Sequence, residues 1–193
     1  FAHGDFLALG LYLTYLGATW LHLDPYLSLV LVLPLVTLAA AFTYRLLIAP
    51  VILAPEHNQI VVTLGLSLIL QNAMLAIFTA DLHAMPSVLS GHIVRIGNVF
   101  IQAAALIASA ASIAVCLGLY WLLRSTELGR QIRAAAQDRD AALMSGVNVD
   151  RMYLIAFCIG VGSLGLVAPL IAPFNYVSPS VGSSFTLTAF IVA

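Results

Sequence analysis

Residues 124–151 read RSTELGRQIRAAAQDRDAALMSGVNVDR and hold five of the seven basic side chains of a chain that is 62% hydrophobic. No other stretch of the sequence stays polar for so long. Cytoplasmic loops of membrane proteins collect arginine and lysine, so this segment predicts which side of a membrane is inside and which surface a cytoplasmic partner would grip. The apolar sequence on either side of it is then expected to cross the bilayer.

Composition supports that frame. Charged residues make up 8% of the chain and the mean hydropathy is +1.07, whereas soluble domains carry about 25% charged residues. The chain is expected to be an integral membrane protein. All seven basic residues are arginine and the net charge is -1, with no basic tail or patch, so nucleic acid is not an expected partner. Lipid and other proteins are. Cys116 and Cys158 lie in apolar runs, which suits buried small hydrophobic residues better than a metal pair or a disulfide. Residue 1 stands at the edge of an apolar run with neither an initiator Met nor a basic region before it. The sequence therefore reads as a fragment of a longer chain.

Five charge-free runs approach the roughly 20 helical residues needed to cross a hydrocarbon core: 6–21, 26–44, 60–80, 100–123 and 152–172. The first is marginal in length. In lipid an open sheet would leave backbone groups unpaired, so each run is predicted to be a helix. Trp20 and Trp121, with Tyr26, Tyr44, Tyr120, Tyr153 and Tyr176, fall near span ends, where amphipathic rings settle among headgroups. With 124–151 inside, Arg45 is also inside and the 81–99 loop is outside, leaving Arg95 as the one external arginine. The 46–54 stretch, too short to cross and interrupted by Pro50, is expected to be an interfacial segment. Residues 55–59 read as a connection before the third span. The alternation at 92–99 suggests a short strand pair, and a sixth apolar run begins at Phe185 and is cut off. The expected fold is an all-α polytopic bundle of about five spans plus a truncated sixth, one domain over 1–193.

Inside the long loop, Gly129 and Arg130 open a helix-compatible segment through Gln137, with Leu128, Ile132 and Ala135 or Ala136 on one face. Asp138 is placed to cap a second short helix that Gly146 ends in the left-handed conformation, and Asp150 to cap the fifth span. In the third span Thr63, Ser67, Gln71 and Asn72 fall at i, i+4, i+8 and i+9, a stripe of uncharged hydrogen-bonding groups. Such a stripe suits a helix interface or the wall of a path for a zwitterionic solute. His3 and Asp5 are expected at the membrane edge, Asp5 as a helix cap near the positive end of the dipole. Gly160-Val-Gly162-Ser-Leu-Gly165 matches the dinucleotide fingerprint letter for letter. It lies within an apolar span and not in a strand-turn-helix unit, so close helix packing is the expected role. The sequence shows no nucleophile with an assembled base, metal-spaced cluster or phosphate loop, and no enzymatic activity or cofactor is expected.

The spacing Asp140-Ala141-Ala142-x-x-x-Gly146 resembles the EAA loop of importer permeases of the ATP-binding-cassette class, with Asp in place of the usual Glu. More widely, GRQIRAAAQD at 129–138 with AALMSGVNVDR at 141–151, FAHGD at 1–5, TLGLSLILQN at 63–72 and LTAFIVA at 187–193 resemble the branched-chain amino acid permeases of the LivH type. The resemblance spans nearly the whole chain. It departs from the family at Asp140, at Thr188 where Lys is common, and in the apolar 46–54 linker. What it implies is the transmembrane subunit of an ATP-driven importer in the inner membrane. The implied partners are cytoplasmic ATPase subunits, a second permease subunit (a sister or a copy of this chain) and an extracytoplasmic solute-binding protein. Residues Gly129, Arg130, Arg133, Asp140, Ala141, Ala142 and Gly146 would then couple to the ATPase, with Arg130, Arg133 and Arg139 near acidic groups on it. Thr63, Ser67, Gln71 and Asn72 are the candidates for the path. The family handles several small solutes, so the substrate stays open. An ion-coupled secondary carrier is the alternative, disfavoured because the five spans hold no charged residue; an intramembrane enzyme is disfavoured for want of a catalytic set.

Overall fold

The computed structural model describes residues 2–22, 24–79, 81–82, 84–85, 93–96 and 99–192. Eight α-helices carry almost all of the regular structure: α1 His3–Trp20, α2 Leu29–Thr43, α3 Glu56–Phe78, α4 Ala103–Ser125, α5 Glu127–Gln137, α6 Arg139–Met144, α7 Val149–Ile171 and α8 Val181–Val192. Between α3 and α4 lies an antiparallel pair, β1 Ile93–Ile96 and β2 Val99–Gln102, with Ile96 opposite Val99 and Ile93 opposite Gln102. The strand pair expected from the alternation is thus present. Its second strand takes residues 99–102, so the fourth long helix starts at Ala103 and not at 100.

Among the described residues four helical stretches are long and apolar enough to cross a bilayer: Leu29–Val51, His57–Phe78, Ala103–Ser125 and Val149–Phe174. A 23-residue helix is about 34 Å long at 1.5 Å per residue, enough for a hydrocarbon core of about 30 Å. Their outward faces are strongly apolar, with Val61, Leu64, Leu68 and Ile69 exposed on α3 and Ile113, Leu117 and Trp121 exposed on α4. Continuous apolar surface of that kind needs lipid or protein against it. Helix α1 behaves differently. It holds Asp5 and lies inside the bundle, with Phe6, Leu7, Ala8, Leu11, Tyr12 and Thr14 all buried.

Small residues set how closely these helices approach. Helix α7 lies along α2, and a Cβ on Gly162 would stand 2.9 Å from Thr37 Oγ1, while one on Gly165 would stand 3.3 Å from the Leu33 Cα. The glycine triplet thus serves helix packing at its second and third positions, as expected of small residues in a membrane span. A Cβ on Gly10 of α1 would likewise stand 2.8 Å from the Ala168 Cβ of α7. Two apolar clusters fill the remaining space: Leu7, Leu11, Tyr12, Met74 and Val177 in one, Phe6, Val32, Val36, Leu66 and Val161 in the other. Tyr12 stacks on Phe78 with ring centroids 4.3 Å apart.

Several boundaries differ from the expectation, each for a local reason. The 46–54 stretch is not a separate segment up to residue 51: α2 runs on through a π turn at Tyr44–Ile48 and a 3-10 turn at Ala49–Val51. Pro50 cannot continue an α-helical ladder, and widened then tightened turns absorb the missing donor. Residues 56–59 are not a connection but the first turn of α3. Extended Pro55 precedes them, and the Gln59 side-chain amide donates to the carbonyls of Ile52 and Ala54, both at 3.1 Å. Tyr44 is buried against Phe157 at 5.7 Å, and the Tyr153 hydroxyl donates to the Ala135 carbonyl. Neither serves as a headgroup anchor, whereas Trp20, Trp121, Tyr120 and Tyr176 are exposed. Cys116 is exposed on the outer face of α4, not buried, and Cys158 is half-buried.

Candidate functional site

Two polar features stand out against the apolar bundle: the helix pair between α4 and α7, and a cluster joining α1 to α3.

The pair begins with Thr126, whose hydroxyl accepts from Gly129 N at 3.1 Å and so starts α5 at Glu127, two residues earlier than expected. Gly129 is a close-approach position, since a Cβ there would stand 2.5 Å from the Leu122 carbonyl oxygen at the end of α4. Asp138 separates the two helices and caps α6 as expected, its Oδ1 accepting from Asp140 N and Ala141 N, both at 3.0 Å. Gly146 then reverses the chain at φ +81°, with Val147 N donating to the Ala142 carbonyl. Asp150 does not cap α7. Asn148 does, its Oδ1 accepting from Arg151 N at 3.1 Å, and Asp150 sits in the first turn. Either residue type can cap a helix, and the chain takes the one that follows the Gly146 turn directly.

This unit has a core of its own. Ala135, Ala142, Val149 and Met152 are buried together, and the Tyr153 hydroxyl ties α7 to the end of α5. Ala142 therefore faces the chain itself and is not free to meet a partner. Ala141, Asp140 and Gly146 are exposed. Leu128, Leu143 and Met144 are also exposed, Met144 at 90%. The sequence pattern that marked the helices singled out Leu128 but not Leu143 or Met144. Arg130 pairs with Glu127, the Arg133 guanidinium donates to the Leu123 carbonyl, and the Arg124 guanidinium donates to the Tyr120 hydroxyl. The expected positive surface is thus partly engaged within the chain. Hydrogen bonding and attraction from Arg130 hold the Glu127 carboxyl below its ordinary range. Because the folded value is depressed, the pair's contribution is present at neutral pH and is lost as pH falls through that value.

The second feature overturns the expected role of Asp5. Ala2, not Asp5, stands at the N-cap of α1, and no side chain caps that end. Asp5 is 1% exposed and turns its carboxylate across to α3. The Ser67 hydroxyl donates to Asp5 Oδ2, and Gln71 Nε2 donates to Asp5 Oδ1 at 2.9 Å. The free end of α1 is instead closed by α8, where the Thr186 hydroxyl accepts from Gly4 N at 3.2 Å. The four residues of the α3 stripe accordingly divide. Ser67 and Gln71 join α1. Thr63 and Asn72 hydrogen-bond their own helix, at the carbonyls of Ile60 and Leu68.

Gln71 and Asn72 also line a cavity of about 500 Å³ with Leu75, Leu82, Ser178 and Ser180, within the size range of small-molecule sites. A cleft of similar volume between α2, α4 and α7 is different in kind. Its two hydroxyls are already committed, Thr37 donating to the Leu33 carbonyl and Ser163 to the Gly160 carbonyl, and the rest of its wall offers a solute almost nothing polar.

Comparison with known proteins gives one consistent result. Residues 1–193 match the family described as branched-chain amino acid transport system / permease component. The high-affinity branched-chain amino acid transport system permease protein BraD of Pseudomonas aeruginosa is 25% identical over 206 residues, covering 100% of this chain and 67% of the relative. The permease proteins LivH of Escherichia coli K12 and of Salmonella typhimurium are 26% and 25% identical over 207 residues, with the same coverage. No solved structure matches the chain.

Proposed function

The chain belongs to the branched-chain amino acid transport system / permease component family, a family of transport components and not of enzymes, and on that premise we propose that it is the transmembrane permease subunit of an ATP-driven importer. In this reading it sits in the inner membrane with residues 124–151 on the cytoplasmic side. It moves branched-chain amino acids or a related small polar solute by alternating access. Its partners are cytoplasmic ATPase subunits, a second permease subunit and an extracytoplasmic solute-binding protein. Five helices, α1 to α4 and α7, form the spans, and α8 begins a sixth.

One observation carries the coupling role: α5 and α6 form a capped, internally packed unit whose apolar side chains Leu143 and Met144 point away from the chain. A solvated connector has no reason to keep Met144 90% exposed on a rigid support; a partner cleft supplies one. Asp140, Ala141 and Gly146 are then the contact residues, with Arg130 and Arg133 flanking them. Gly129 and Ala142 hold the unit together. A grip on this unit shifts the bundle between its two openings only if the ATPase binds them with different free energy. Met144→Asp is the direct test: the permease should still insert and fold but should no longer co-purify with its ATPase subunits. Unchanged co-purification would remove the docking role.

Ser67, Gln71 and Asn72, with Ser178 and Ser180 across the cavity, are the residues proposed to line the path. Thr63 is more peripheral. The ion-coupled carrier remains the competing reading, and it gains one argument, since a buried carboxylate at Asp5 is the kind of group such carriers use. Against it, both Asp5 oxygens are taken by Ser67 and Gln71, and family membership makes the chain one component of a transport system.

A further inference from the structure

From the hydrogen-bond arrangement around Asp5 we infer that this residue is a positioning residue: it fixes the Gln71 amide with its oxygen toward the cavity, so the wall there accepts from the nitrogen end of a solute. This rests on the reading of the cavity as part of the solute path. A carboxylate only accepts hydrogen bonds. The groups facing Asp5 must therefore be donors, and the Ser67 hydroxyl donates to Oδ2 while Gln71 Nε2 donates to Oδ1 at 2.9 Å.

With its O–H directed at Asp5, Ser67 Oγ is left as the acceptor for the second hydrogen of Gln71 Nε2, at 3.2 Å. Both amide hydrogens of Gln71 are then used, and Gln71 Oε1 has no partner among the described residues. Flipping the amide would set a carbonyl oxygen against a carboxylate oxygen, so the orientation follows from the chemistry of its neighbours. Asp5 is 1% exposed and does not itself line the cavity. It acts only through Gln71. Asn72 adds a second carbonyl oxygen on the same rim, one hydrogen of its Nδ2 being used by the Leu68 carbonyl at 2.7 Å. At Gln71 the α3 side of the cavity thus offers an acceptor with no donor beside it on the same amide, which suits an ammonium or amide N–H and repels a carboxylate. The Ser178 and Ser180 hydroxyls across the cavity share one hydrogen bond at 3.4 Å, which leaves one of the two O–H groups to donate to the carboxylate end.

The test uses the assembled permease and ATPase in lipid nanodiscs without the solute-binding protein, whose own selectivity would otherwise dominate. Retention of radiolabelled leucine is competed with unlabelled leucine or with 4-methylpentanoate, which keeps the carboxylate and side chain but lacks the ammonium. The wild type should prefer leucine strongly. Asp5→Asn presents both a donor and an acceptor to Gln71, so either amide orientation is satisfied. The preference should fall roughly tenfold through weaker leucine binding, with 4-methylpentanoate little changed. Gln71→Met removes the acceptor while keeping the side chain's length and should lose the same preference, which covers the case in which Asp5→Asn does not fold. Undiminished preference in the folded variants overturns the inference. Asn72→Trp, which fills the cavity, separates the two failures. If that variant, reconstituted with the ATPase in sealed vesicles, transports normally, the path reading itself is wrong; if it is blocked while the preference survives Asp5→Asn and Gln71→Met, only the positioning role fails.

Discussion

Gly4 of α1 and Gly182 of α8 meet backbone to backbone: a Cβ on Gly182 would stand 2.6 Å from the Gly4 carbonyl oxygen, and one on Gly4 would run into the Gly182 carbonyl. Neither chain can yield by rotating a side chain. Gly182→Ala should therefore separate the two helices, break the Gly4 N to Thr186 Oγ1 hydrogen bond 3.2 Å long, and lower stability by about 1–3 kcal/mol. Thermal unfolding of the detergent-purified protein measures this. Gly65→Ala and Gly118→Ala, where nothing lies within 4 Å of the added carbon, should be neutral or slightly stabilising.

Gly146 gives a sharper separation between folding and coupling. Its φ of +81° disfavours any residue with a Cβ, yet no atom lies within 4 Å of the position. Gly146→Ala should cost about 1–2 kcal/mol through backbone strain alone and leave transport largely intact. Gly146→Asp adds bulk and charge to the proposed contact surface and should uncouple uptake from ATP hydrolysis while membrane insertion is unaffected. Insertion is read from the membrane fraction and coupling from solute-stimulated hydrolysis. Full uptake in Gly146→Asp would remove Gly146 from the interface.

Ala142 and Ala141 stand side by side and should behave oppositely. Ala142 is packed with Ala135, Val149 and Met152, so Ala142→Leu should overpack that small core and destabilise the unit by about 1–3 kcal/mol. Ala141 is exposed. Ala141→Leu should leave the isolated permease as stable as the wild type and impair only its association with the ATPase. Thermal stability and co-purification, measured on both variants, distinguish the two cases.

Loss of the Asp138 cap tests whether the loop acts as a folded unit. Asp138 Oδ1 satisfies two otherwise unpaired backbone donors, at Asp140 and Ala141. Asp138→Ala should cost about 1 kcal/mol and, by fraying α6, lower the affinity for the ATPase. Asp138→Asn keeps an acceptor oxygen and should restore most of it. The Glu127–Arg130 pair is exposed and should matter far less: Glu127→Gln should leave stability near the wild-type value.

What the sequence made legible and what it hid follow from the range of each signal. The long helices, the strand at 93–96, the Asp138 cap and the turn at Gly146 rest on local patterns: apolar run length, alternation, an N-cap residue, a left-handed glycine. Those survive in the structure. The glycine triplet at 160–165 was legible as packing because its apolar setting forbids a phosphate loop. Asp5 was misread because its partners, Ser67 and Gln71, lie more than 60 positions away and on another helix. Seen alone, an acidic residue before an apolar run looks like a cap. Ser178 and Ser180 were missed as cavity residues for the same reason. The choice of Asn148 over Asp150 as cap turned on where the Gly146 turn ends, a matter of two residues that composition does not resolve. The exposure of Leu143 and Met144 emerges only once Ala142 is seen to occupy the inward face of α6.

The central claim is that nucleotide hydrolysis by a partner, not an ion gradient, drives this permease. Uptake of labelled leucine into proteoliposomes holding the chain, its partner permease subunit and ATPase subunits, with the solute-binding protein on the outside, tests it most directly. Uptake should require ATP supplied on the face bearing residues 124–151 and should be absent when a proton or sodium gradient is imposed without ATP. Uptake driven by either gradient in vesicles lacking the ATPase would contradict the account.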